Sequence, residues 1–158
     1  MEKKEINFIA EQLRDTYQGG PWYGKSFTEL TNEIPESVVY LKKDNQHSIL
    51  ELLWHMITWR EFTVDRLQHS PQMQIAYFEK NDWRELDHND KTLWKQGLER
   101  IKETQDQLLT LLEDRDDSLL EQGVRERSYN FRKLLYGIVQ HDIYHLGQMV
   151  VIWKENVR

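Results

Sequence analysis

Residues 131–156 read FRKLLYGIVQHDIYHLGQMVVIWKEN, and this stretch decides the fold class. It holds no proline, and Leu134, Leu135, Ile138, Val139, Leu146, Met149, Ile152 and Trp153 recur at the three-and-four spacing of one helix face. A strand would alternate with a period of two, which this stretch does not. The spacing predicts a long amphipathic helix that must bury its apolar side against other helices. Three more segments carry the same period. Residues 3–18 place Ile6, Ala10, Leu13 and Tyr17 on one stripe and stop at Gly19-Gly20-Pro21, where proline cannot continue the ladder. A second long helix starts at Ser48, which forms a capping-box pattern with Glu51. It carries Ile49, Leu52, Leu53, Met56, Trp59, Thr63 and Leu67, and fails near Ser70-Pro71. Residues 92–113 hold Trp94, Leu98, Ile101, Leu108 and Leu112 at near-heptad spacing, with Gln105 in one apolar place. A short helical turn is expected after Ser26, which faces Glu29 in another capping-box pattern. Val38 to Leu41 is the best strand signal, and it has no partner.

Four amphipathic helices predict an all-α protein, a four-helix bundle. The connection over residues 71–91 is long enough for the second and third helices to run parallel, giving one crossover and an up-down-down-up order. Tyr77, Phe78 and Trp83 within it are expected to pack onto the bundle. A length of 158 residues fits one domain spanning 1–158, long enough to fold without a disulfide or a structural metal.

Composition removes several function classes. There is no cysteine, which excludes a disulfide scaffold, thiolate metal ligation, an iron–sulfur cluster and a catalytic cysteine. The formal charge of −6 argues against nucleic-acid binding, which needs a basic face to replace condensed counterions. The start, Met1-Glu2-Lys3-Lys4-Glu5, predicts no signal peptide, and the apolar runs are far short of the ~20 residues of a membrane span. The expectation is a cytoplasmic protein with no membrane partner.

Histidine is the chemistry-bearing residue. His141 and His145 stand at i and i+4, one above the other on a helix, with Cβ atoms about 5–6 Å apart. Two imidazoles so placed can converge on one ion. His145 falls inside the apolar stripe and His141 on its shoulder, and two buried imidazoles need partners for up to four ring nitrogens. His55 lies on the shoulder of the second helix's stripe. It reads either as a satisfied core histidine or as a third ligand from a facing helix. His47, His69 and His88 are expected to be solvated.

A zinc-protease reading fails, because Asp142 replaces the glutamate of H-E-x-x-H and no third histidine follows at the required spacing. Asp142 points into the apolar face, so it needs a partner. It could orient a ligand histidine, His55 being the candidate, or it could belong to a buried ion pair or a tyrosine contact. Gly137 one turn before His141, and Gln148 one turn after His145, would leave room for and orient a bound molecule. Close helix packing would explain Gly137 as well.

The segment His141-Asp142-Ile143-Tyr144-His145-Leu146-Gly147-Gln148 resembles the H-x-x-Y-H-x-G-Q signature of the DinB-like superfamily. The segment from His47 to Met56, with Trp59 after it, is similar to the family's first histidine motif, and Gly19 to Gly24 to the end of its first helix. The resemblance covers nearly the whole chain. It implies a four-helix bundle in which His55, His141 and His145 hold one divalent metal ion per chain, zinc or nickel foremost, iron or manganese otherwise. It also implies a homodimer, for which Trp22, Trp83 and Trp94 are candidate exposed aromatics. The activity so implied is a metal-dependent thiol S-transferase or a hydrolase. Its substrate would be a small molecule and its partner a low-molecular-weight thiol, with Asp142 and Gln148 as candidate catalytic groups. A non-catalytic metal-binding stress-response or structural dimer is the alternative.

Overall fold

The computed structural model describes residues 2–157, which form seven α-helices and one 3-10 turn. The four long helices are α1 (Lys4–Gln18), α4 (Ile49–Leu67), α6 (Thr92–Glu113) and α7 (Phe131–Asn156). Between them lie α2 (Phe27–Glu33), α3 (Glu36–Val39), α5 (Ile75–Lys80) and a 3-10 turn over Asp117–Glu121. Both capping boxes form. Ser48 Oγ accepts from the Glu51 amide at 3.1 Å while Glu51 Oε2 accepts from the Ser48 amide at 2.9 Å, and Ser26 and Glu29 repeat the exchange. Asn130 caps α7 by accepting from the Lys133 amide at 3.1 Å. The Val38–Leu41 run is not a strand. With no neighbour to pair, it closes local bonds from Val38 N to Pro35 O and from Leu41 N to Val38 O, and it buries Val38, Val39 and Tyr40 as the helical turn α3.

Cross-helix contacts fix the directions. Trp54 bonds the Leu93 carbonyl, Glu61 pairs with Arg100, and the Leu67 carbonyl accepts from Arg115, so α4 and α6 run parallel. Leu52 lies beside Ile152, His55 beside His145, and Phe62 beside Leu134, so α7 runs against α4. Lys3 reaches the Glu113 carbonyl while Glu5 pairs with Arg132, which sets α1 against α6 and along α7. The order is up-down-down-up. Gly97 permits the parallel approach, since a Cβ there would stand 2.6 Å from Leu53 Cδ2.

The core comes in two apolar halves. One gathers Phe27, Leu30, Ile49, Leu53, Met56, Trp94, Met149 and Ile152; the other gathers Ile9, Leu13, Phe62, Leu108, Leu112, Leu135 and Ile138. Between them runs a buried polar layer. Arg60, 1% exposed, donates Nε to Asp142 Oδ2 at 2.8 Å, with Nη2 also 2.8 Å from that oxygen, and donates Nη1 to Gln105 Oε1 at 2.9 Å. Gln105 passes the chain on by donating to the Leu13 carbonyl at 3.0 Å. Four helices meet there, three of them through the charge-assisted bonds of Arg60 and α1 through the Gln105 amide.

The crossover packs onto α4. Phe78 is buried, and the fully buried Arg66 side chain ties the segment down by donating to the Met73 carbonyl at 3.0 Å and to Glu126 at 2.9 Å. Trp94 is buried in the first core half, as its place on the apolar stripe of α6 requires, so of the three candidate exposed aromatics it is the one that drops out. Trp22 is wholly exposed and Trp83 is 39% exposed. No described helix is long and apolar enough to cross a membrane.

Candidate metal centre

The antiparallel pairing of α4 and α7 brings His55 level with His141 and His145. Their Nε2 atoms converge: His55 to His141 is 3.0 Å, and His141 to His145 is 3.1 Å. All three ligating atoms lie within 4.8 Å of one another. Two nitrogens on one tetrahedral ion at 2.0–2.1 Å would stand roughly 3.3 Å apart, so the spacing suits a shared cation. His55 and His145 are buried, and His141 is half-buried.

The outer ring nitrogens decide which protons are present. His55 Nδ1 stands 2.8 Å from the Asp82 carbonyl, and His145 Nδ1 stands 2.6 Å from Gln148 Oε1. Both partners can only accept, so both Nδ1 atoms carry hydrogen and both neutral rings turn a bare Nε2 inward. This is the outer support that metal-binding histidines ordinarily have. One atom is left over on each side of a short gap. His141 Nδ1 and Asp142 Oδ1 are buried without a hydrogen-bond partner, 3.9 Å apart. A cation taking the His141 Nε2 lone pair would place that ring's hydrogen on Nδ1, facing the orphaned carboxylate oxygen. The residues fit a divalent ion.

Burial holds the His145 imidazole at a pKa of about 4, below its ordinary 6.5, with the neighbouring His141 adding to the effect. Burial also lowers His55, against the pull of Asp82. Between pH 6.5 and 4 the unfolded chain therefore binds a proton at His145 that the folded chain refuses. Metal-free protein is expected to lose stability as pH falls through that window. Urea midpoints measured in chelator between pH 7 and 4 check this, and His145→Asn should flatten the slope.

Asp142 does not orient His55. Its Oδ2 takes Arg60, and the ring of His55 is held by Asp82 from the crossover. Asp82 also accepts from the Trp59 indole at 2.6 Å and stands with Oδ1 3.1 Å from His55 Nδ1. Trp83 is sandwiched between His47 and His55, with centroid distances of 3.6 and 3.9 Å and interplanar angles of 3° and 5°. So His47, although exposed, stacks over the site. His88 is also not merely solvated: it bonds the capping Ser48 hydroxyl at 3.0 Å. His69 is exposed, as expected. Gln148 stands where the sequence placed it and fixes His145. Neither Asp82 nor the stacking of Trp83 on His55 is legible in the sequence, because a loop has no period to place them; an aromatic beside a carboxylate in a long connection is the sole signal.

The sequence model of the DinB superfamily matches residues 24–149, and the chain belongs to that superfamily. No curated protein and no solved structure matched it.

Proposed function

We propose that the chain is a metal-dependent enzyme that joins an external low-molecular-weight thiol to an electrophilic small molecule. One divalent ion per chain, zinc or nickel foremost, would be held by His55, His141 and His145. The observation that carries this reading is the convergence of three imidazole Nε2 atoms, two of them with their outer nitrogens already engaged. Three neutral ligands leave an open position and the full charge of the ion, and such an ion would hold a thiol as thiolate below the thiol's own pKa. The chain has no cysteine, so the sulfur must arrive with a cosubstrate. Asp82 and Gln148 hold the rings of His55 and His145 with Nε2 aimed inward, while burial keeps both rings neutral. Trp83 covers one face of His55 and limits water there. A depression of about 490 Å³ beside the site, lined by Gln46, His47, Tyr144 and Gln148, offers amide, imidazole and phenol groups to a polar thiol.

The test is thiol conjugation with a chloro-nitroaromatic electrophile, read as thioether formed and chloride released. Turnover should require metal, stop with chelator, and show its greatest advantage below the thiol's free pKa, near 8.5 for a cysteine-like group. In acid it should fail as the histidines protonate and release the ion. Ester cleavage without thiol would assign a hydrolase instead. Bound metal with neither turnover would leave a metal-binding protein without catalysis.

A further inference from the structure

Gly137 sits in the interior of the 26-residue α7, where glycine is the least favourable residue after proline. Close packing does not explain it, because a Cβ at Gly137 would meet no atom within 4 Å. What lies there is a cleft of about 240 Å³ between α4 and α7. Its walls are Trp59, Phe62, Leu134 and Ile138, its floor is Gly137, and His141 stands at one end. At the other end are Tyr129 and Lys133. Lys133 Nζ lies 5.8 Å from the Tyr129 ring centroid and has no carboxylate within 4.0 Å among the described residues. The Arg127 guanidinium, 5.8 Å and 5.5 Å from the rings of Trp59 and Phe62, is paired with Glu79 at 3.6 Å, which leaves Lys133 as the unpaired cation of the cleft among the described residues. Two helical turns separate Lys133 from His141, about 12 Å along the axis.

We infer that this cleft binds a small amphipathic anion. Its apolar body, aliphatic or aromatic, lies over Gly137 against the paired Trp59 and Phe62 rings, and its anionic end lies at Lys133. The volume holds about eight waters, the bulk of a chain or ring system of about eight carbons. Apolar walls drive burial of the body, while the single cation at the mouth selects the sign of the end group. The opposite end of such a ligand reaches His141, which makes the anion the class of the electrophilic substrate. That last step rests on the proposed metal chemistry; the cleft and its ligand class do not.

Calorimetric titration of octanoate and octylamine into chelator-treated and zinc-loaded protein tests the inference. Octanoate should bind both forms with similar affinity and better than octylamine. Gly137→Leu fills the floor with a better helix former and should weaken octanoate by about tenfold or more without altering zinc content. Lys133→Glu should weaken octanoate by about tenfold and turn the preference toward octylamine. No octanoate binding to the wild-type chain, or equal binding in both variants, overturns the inference. Binding seen solely in the zinc-loaded form and indifferent to Lys133 also overturns it, since the carboxylate would then sit on the ion. Wild-type protein that binds octanoate yet retains no zinc sinks the metal reading and leaves the cleft in place.

Discussion

His145→Ala and His141→Ala are each expected to abolish binding of the proposed ion. Elemental analysis of protein isolated without a histidine tag should find about one divalent ion per wild-type chain and a trace in either variant. Loss of an outer hydrogen-bond partner of a metal ligand costs 10–100-fold in affinity, so loss of a ligand itself should exceed about 100-fold. His69→Ala serves as the control and should keep the full content, because that side chain is exposed, lies beyond the end of α4 and is not one of the converging histidines. The variants should stay helical and unfold cooperatively, since the two apolar halves that make up the core include none of the three histidines. Equal metal content in His145→Ala and wild type would remove the proposed centre.

The largest loss of stability is expected from Arg60→Met. The substitution roughly conserves volume but strands Asp142, 1% exposed, without its guanidinium. Breaking a buried pair by removing one partner costs about 3–5 kcal/mol. In a chain of this length that lowers the melting temperature by roughly 10 °C. Arg60→Met with Asp142→Leu should recover a substantial part of the loss, because replacing both members by apolar groups is often neutral or better. A remainder of about 1–3 kcal/mol should persist, as Gln105 Oε1 loses its donor in both variants. Urea unfolding of wild type, single and double variant decides the matter. A double variant no more stable than the single one would show that the cost arises elsewhere than in the stranded carboxylate.

Long amphipathic stripes made most of the fold legible. α1, α6 and α7 each show one apolar face because each is covered on one side and wet on the other, and both capping boxes mark true helix starts. α4 is different. Most of its residues are buried because α6, α7 and the crossover surround it, so its wheel separates faces poorly. Arg60 is therefore not legible as the partner of Asp142, although it continues the Leu53–Met56 stripe by one turn. The histidine trio was legible because two of its members share one helix at i and i+4. Its outer support was not. Asp82 and Trp83 come from a connection whose path depends on Arg66, Thr58 and Phe78, contacts that no local pattern encodes.

The polar layer also governs alignment. One helix can slide past another by a turn, 5.4 Å, and still set aliphatic side chains against aliphatic side chains. Leucine and isoleucine on both sides of the layer make such offsets nearly degenerate in buried area. Arg60 and Asp142 break the degeneracy, because any slip of α7 along α4 would bury both charges apart. Of the axial settings available to the two helices, the pair selects the one that brings His55 opposite His145. A chain carrying Arg60→Met and Asp142→Leu could then be stable and still hold its histidines less well in line, losing metal affinity without losing a ligand.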